Sequence, residues 1–312
     1  MGPGRTTGPY AAGVPALASP TLVPLDDGRV LAVDDVGDPD GAPVLYLHGA
    51  PDSRLSRHPD DGLAARAGVR LLAVDRPGCG RSTGHPGRTL GSVADDLAAA
   101  CAHLGVDRTG VLAWSAGAPF AVALAARHPR LVAAVGLAAP LVPVDAYATP
   151  EVAEAAGPGR ALFAEMAAEL PAEEVAAEVA PYLLPDPATT EAVAAHLREE
   201  GDERRAAELA TVPGGFDHLV AATVEAVARG RDGLSQEVAT QAGRPDVDLA
   251  AGTAPVTIWS GTADPVAPPA FGAWWAATAP GARHHVLEGA THVLHLPRWA
   301  TLLAALVPGP AQ

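Results

Sequence analysis

The stretch V-L-A-W-S-A-G-A-P, residues 111–119, decides how this chain is read. Val111, Leu112 and Ala113 form a short apolar run, as a buried strand should. Phe120, Val122, Ala123, Leu124, Ala125 and Ala126 then make an apolar run of helix formers that stops before Pro129. Ser115 therefore falls on the turn between strand and helix, with small residues on both sides. Such a turn admits only small side chains two positions before and two after the serine, and it thrusts the hydroxyl out above the sheet. The helix behind it offers backbone N–H groups and a positive dipole end, which suit a developing oxyanion. The usual pattern is G-x-S-x-G, and here Ala113 stands in the first position. A serine that merely caps a buried helix would give the same pentapeptide, so its partners elsewhere must decide.

A serine hydroxyl needs a base within hydrogen-bond reach and a third group that holds the base in one tautomer. His292 follows the β-like run Arg283–Leu287, and Asp264 follows the run Pro255–Ser260. The chain order is then serine, acid, histidine. Asp145, just past the preceding strand, is the alternative acid. Asp264 is favoured because its strand directly precedes that of the histidine.

Five segments now stand in order: L-H-G-A-P (47–51), D-R-P-G-C-G-R-S (75–82), A-W-S-A-G (113–117), S-G-T-A-D-P-V (260–266) and E-G-A-T-H (288–292). Together they resemble the α/β-hydrolase superfamily, in its serine-nucleophile branch with an H-G-x-P loop and a helical cap. The resemblance covers most of residues 25–306. It implies Ser115 as nucleophile, His292 as base and Asp264 as the orienting carboxylate. It also implies an oxyanion hole made by the backbone N–H groups of Ala50 and Ala116, with Pro51 fixing the first loop. His48 is a candidate pocket residue that is expected to brace that loop, not to transfer protons. Serine at the nucleophile position disfavours the dehalogenase and epoxide hydrolase branches, which attack with a carboxylate.

Outward from the serine, the chain alternates strands and helices. Thr21 to Gly37 reads as an edge hairpin about the turn Asp26-Asp27-Gly28. Buried strands follow at 43–47 and 69–74. Helical spacing over 90–104 suggests a cap at Ser92 supported by Asp95. Residues 131–139 make another strand. This pattern predicts a mostly parallel sheet covered by helices on both faces. Between 145 and 245 the composition turns Ala/Glu/Arg-rich, with helical segments at 160–170, 172–183, 187–199 and 216–229. The division expected is a loose tail over 1–20, a core over 21–144 and 246–312, and a helical cap over 145–245 inserted after the sixth strand. A final helix is expected over 293–306.

Composition removes several classes of function. The net charge of −15 argues against nucleic acid or an anionic membrane surface as partner. All 21 basic residues are arginine, which excludes a P-loop lysine, a pyridoxal Schiff base and a Ser–Lys dyad; the absence of asparagine excludes N-glycosylation. Cys79 and Cys101 have no disulfide-framework or metal spacing, so no metal or cofactor is expected and both thiols read as reduced in a cytoplasmic protein. No apolar run is long enough to span a bilayer.

The expectation is a cofactor-independent hydrolase that cleaves an ester or thioester of a small, fairly hydrophobic acyl substrate, as a monomer or homodimer. Phe163 and Met166 of the insert are candidate pocket walls, and Trp114 and His295 are either pocket lining or core. The same three residues would equally serve an aminopeptidase, a perhydrolase or a biosynthetic thioesterase or cyclase. A lyase, or a silent ligand-binding protein on this fold, is the alternative from another class.

Overall fold

The computed structural model describes residues 19–279 and 281–307. The tail expected over 1–20 lies outside them except for Ser19 and Pro20. Eight strands form one sheet: β1 (Thr21–Pro24), β2 (Val30–Gly37), β3 (Ala42–Leu47), β4 (Val69–Val74), β5 (Thr109–Trp114), β6 (Val132–Ala138), β7 (Val256–Gly261) and β8 (Arg283–Leu287). Their spatial order is β1-β2-β4-β3-β5-β6-β7-β8. The edge hairpin and its junction to β4 are antiparallel, and every other pairing is parallel. β3, β4 and β5 are buried along most of their length, which matches their unbroken apolar sequence.

Two helix expectations need correction. The helix Leu90–His103 is capped by Thr89, whose side chain accepts from the Ser92 N–H while Ser92 accepts from the Thr89 N–H. Ser92 is thus the reciprocal partner in the capping box, not the cap. The last helix runs only from Trp299 to Ala304. Pro297 disfavours helical backbone at Leu296, so residues 293–298 form turns.

Between β6 and β7 the chain leaves the sheet as a set of helices. The four segments read from sequence correspond to Pro158–Glu169, Ala172–Val179, Thr190–Glu199 and Gly215–Ala226. Pro150–Ala155, Glu203–Ala210 and Asp232–Ala242 were not anticipated. Phe163, Val175, Ala176, Leu184, Leu234 and Val238 build an apolar cluster of the insert's own. Met166 packs against it.

Buried ion pairs fasten this cap to the core. From the helix Asp232–Ala242, Glu237 (1% exposed) accepts from Arg76 at 2.7 Å and also from Arg88, both fully buried. On the same helix Gly233 lies directly on the backbone of Gly78, where a β-carbon has no room. From the helix Gly215–Ala226, Glu225 meets Arg54 at 2.9 Å, and Arg54 also bridges Asp34 at 2.9 Å and Asp75 at 2.8 Å. Burial by itself would raise the Glu237 carboxyl, but Arg76 and Arg88 outweigh it and hold the group below the ordinary carboxylate range.

Glu237→Gln leaves two buried guanidinium groups without their counter-charge, a loss that typically costs about 3–5 kcal/mol. The expected result is a fall in melting temperature on the order of 10 °C, while Glu199→Gln at an exposed position leaves it within about a degree or two. A second expectation concerns pH. Burial, with help from the Arg57 charge, pushes His218 down to about 4, and its Nε2–H donates to the Arg57 carbonyl at 2.9 Å. The folded chain therefore refuses a proton that the unfolded chain accepts below about pH 6.5. This stabilisation is present above that pH and is lost as pH falls towards 4. His218→Gln keeps a donor without titrating, so its melting temperature should fall less steeply than wild type between pH 7 and 4.5; equal slopes would remove His218 from the account.

Candidate active site

Ser115 opens the turn after β5 with φ of 54°, in the left-handed region that an L side chain rarely adopts. The close fit of the turn explains which small residues it needs. A β-carbon at Gly117 would lie 2.5 Å from the Leu47 carbonyl oxygen and 2.8 Å from that of His48, so glycine is required two positions after the serine. Ala113, two positions before, is fully buried between its register partners Leu47 and Leu137 and keeps its methyl in the core. The departure from G-x-S-x-G thus sits on the side of the turn that tolerates it.

The three distant side chains meet above the carboxyl ends of β5, β7 and β8. The Ser115 Oγ lies 2.9 Å from His292 Nε2, and His292 Nδ1 lies 2.8 Å from Asp264 Oδ2. The pattern assigns Nδ1–H as donor to the carboxylate, which leaves Nε2 to accept the serine proton. The other Asp264 oxygen accepts from the N–H groups of Val266 and Ala267 at 2.8 and 2.9 Å, so the carboxylate cannot swing away. Asp145 is exposed in the short turn Val144–Ala148 and bonds to no member of the trio.

Trp114 packs in the core and fixes the histidine loop. Its Nε1–H donates to the His292 carbonyl at 2.8 Å, and its ring stacks on His295 with centroids 4.1 Å apart. His295 is fully buried, and its Nε2 donates to the Ser56 carbonyl at 3.1 Å. Burial drives it down to about 3, so it stays neutral and does not relay protons at physiological pH. Phe163 and Met166, expected as pocket walls, face the cap's own cluster.

The H-G-A-P loop runs beside the serine. A β-carbon at Gly49 would come within 3.2 Å of Ser115 Cβ and 2.9 Å of the Trp114 ring, so only glycine lets the loop approach so closely. The Ala50–Pro51 bond is cis. His48 is fully buried, donates from Nδ1 to the Gly49 carbonyl at 2.6 Å and accepts at Nε2 from the Arg76 N–H at 3.1 Å. Burial and the Arg76 charge keep it well below the ordinary histidine range, so it braces the loop as a neutral ring. Arg76 ties this loop to the helix Asp232–Ala242. Its guanidinium donates to the His48 carbonyl and, at 3.1 Å, to the Gly49 carbonyl, while Glu237 of the cap neutralises it. The D-R-P-G motif marked Arg76 in the sequence, but its cap partner lies 161 residues away and carries no local signal.

Ser115 is 2% exposed. Among the described residues, no helix is long and apolar enough to cross a membrane.

Comparison with known proteins fits this geometry. Proline iminopeptidase of Xanthomonas citri is 35% identical over 109 residues, 33% of this chain and 33% of that protein. The match thus spans about a third of the length of such curated relatives. An alpha/beta hydrolase fold protein from Nakamurella multipartita superposes with a TM-score of 0.61 at 28% identity, over 92% of this chain and 99% of the other. An esterase from Rhodococcus sp. ECU1013 shares the fold, with a TM-score of 0.64 at 20% identity over 93% of this chain and 100% of the other. The family description "alpha/beta hydrolase fold" matches residues 42–298, from the start of β3 to beyond His292, and the chain belongs to that family.

Proposed function

We propose that this α/β hydrolase cleaves an ester- or thioester-type acyl bond of a small substrate through an acyl-enzyme on Ser115. One observation carries the reading: the unbroken chain of contacts from the Ser115 hydroxyl through His292 to Asp264, at 2.9 and 2.8 Å. As the Ser115 oxygen attacks the carbonyl carbon, its proton passes to His292 Nε2. Asp264 holds the ring in place and stabilises the imidazolium that forms. The N–H groups of Ala116 and Ala50 are assigned to the tetrahedral oxyanion, and removing one such donor typically costs about a hundredfold or more in rate. His292 then returns its proton to the leaving group. A water deprotonated by the same ring releases the acid and restores the serine.

The partial match to proline iminopeptidases favours a second reading, hydrolysis of an amide beside a free amino terminus. The triad serves both reactions, so a substrate test must separate them.

Wild-type protein should react with a fluorophosphonate probe and hydrolyse short nitrophenyl esters, and Ser115→Ala should do neither. Probe labelling that persists in Ser115→Ala would move the nucleophile elsewhere. Asp264→Asn should keep the fold but lower kcat on the order of a thousandfold or more, because the amide stabilises the wrong histidine tautomer. Faster turnover of prolyl arylamide than of any ester would select the second reading.

A further inference from the structure

A cleft of about 460 Å³ lies between the core segment 86–90 and the cap helices Ala172–Val179 and Asp232–Ala242. Pro86, Gly87 and Arg244 at its mouth are exposed, while Leu90 and Thr240 at its inner end are buried. Leu90, Thr240 and Gly243 also border a slot of about 10 Å³, room for a single water. The slot runs on to Ala116 and Leu141. Ala116 follows the nucleophile in the chain, and the Leu141 N–H donates to the Ser115 carbonyl at 3.1 Å. Cleft and slot together thus reach from the cap surface to two residues bonded directly to Ser115.

The cleft walls are apolar and small, with Ala172, Ala176, Ala177 and Ala239 among them. The buried charge in the wall, the Arg88 guanidinium, is already satisfied by Glu237, the Pro77 carbonyl and the Thr240 hydroxyl, so it calls for no further anion. The opposite sides are held in place: Gln236 accepts from the His85 N–H at 3.1 Å, and Asp246 from the Gly91 N–H at 3.0 Å. Sites for small ligands have this size and are mostly preformed.

Gly243 stands where cleft and slot join. It ends the helix Asp232–Ala242 with φ of −74° and ψ of 148°, extended backbone that any residue adopts. A β-carbon there would meet nothing closer than the Ala239 carbonyl oxygen at 3.4 Å. Unlike Gly117 and Gly49, this glycine answers no demand of the fold, and a glycine the fold does not need costs stability through the unfolded chain. What it does supply is an open junction. The slot is narrow enough to pass methylenes in single file and to stop a branch.

His292 decides which end of a substrate lies here. The leaving group must take its proton from Nε2. Among the described residues, none that lines cleft or slot comes from the loops carrying Asp264 and His292. The part in the slot is therefore the acyl part.

We propose that slot and cleft hold the acyl chain of the substrate, so that the bond cleaved is an ester or thioester of an unbranched alkyl acid of medium length. The inference rests on the acyl-transfer reading and gives it a substrate class. It finds the apolar walls elsewhere than at Phe163 and Met166, which turn towards the cap's own cluster.

The test uses p-nitrophenyl acetate, butyrate, hexanoate and octanoate, and p-nitrophenyl 5,5-dimethylhexanoate, which matches the octanoate in carbon count but branches far from the carbonyl. A buried methylene strengthens binding about fourfold, so wild type should favour octanoate over acetate by about tenfold or more in kcat/KM. It should also favour octanoate over the branched isomer. Gly243→Leu, whose β-carbon has room, and Ala239→Phe should each cut the octanoate-to-acetate ratio about fivefold or more, chiefly by raising KM for octanoate. Ala168→Leu, at an exposed position of the cap, should keep the wild-type ratio. Melting temperatures show that each ratio is read on folded protein. A wild-type rate that is flat or falls with chain length overturns the proposal. So does equal turnover of the branched isomer, or a length preference that survives in folded Gly243→Leu or Ala239→Phe protein. Failure to cleave any ester, with no fluorophosphonate labelling, would instead sink the acyl-transfer reading and this inference with it.

Discussion

The Arg76 guanidinium is the interaction on which the rest of the site depends. It is fully buried, so it must be neutralised and its donors filled. Its donors reach the carbonyls of His48 and Gly49 on one side and Glu237 on the other. One side chain therefore holds the loop beside the serine and anchors the helix Asp232–Ala242 to it. A carbonyl held from behind fixes the direction of the next N–H in the chain, and after Gly49 that is the N–H of Ala50. The geometry assigned to oxyanion binding is thereby linked to whether a cap helix is in place. Arginine suits this task better than lysine, because its planar fork serves carbonyls and a carboxylate at once.

The sheet supplies the second constraint. Parallel strands end at the same edge, and the loops after β5, β7 and β8 deliver hydroxyl, carboxylate and imidazole there. Ser115 stands in left-handed backbone, a conformation that persists only where surrounding contacts over-determine it. Those contacts are visible: the Leu141 N–H donates to the Ser115 carbonyl at 3.1 Å, and the end of β3 presses on Gly117.

Much of this was legible in the sequence because it is encoded locally. Each strand is an apolar run, and each member of the trio sits a few residues past one. Ser115, His292 and Asp264 could be placed from pattern and order alone, and the structure brings them together. Elements whose logic is tertiary were not legible. The helix Asp232–Ala242 has its apolar residues Leu234, Val238 and Ala242 at helical spacing, but a glycine near its start and a buried glutamate in its middle break the usual amphipathic look. Glu237 is informative only once Arg76 and Arg88 are seen around it. Phe163 and Met166 are apolar residues of a cap helix, and sequence could not say whether they face the core or their own neighbours. The final helix, Trp299–Ala304, is shorter than its apolar pattern suggests because Pro297 disfavours helical backbone at Leu296.

The cap leaves the sheet after β6 and rejoins it at β7, and these two strands are hydrogen-bonded neighbours, with Ala138 opposite Trp259. The excursion therefore starts and finishes at adjacent points and crosses no other strand. An architecture of this kind separates two evolutionary tasks: the chemistry can stay fixed in the sheet while the excursion is lengthened, trimmed or traded for another. The exchange is not entirely free, however. Any replacement must bring a carboxylate to the place of Glu237, or the arginine beneath it is left as a lone buried cation.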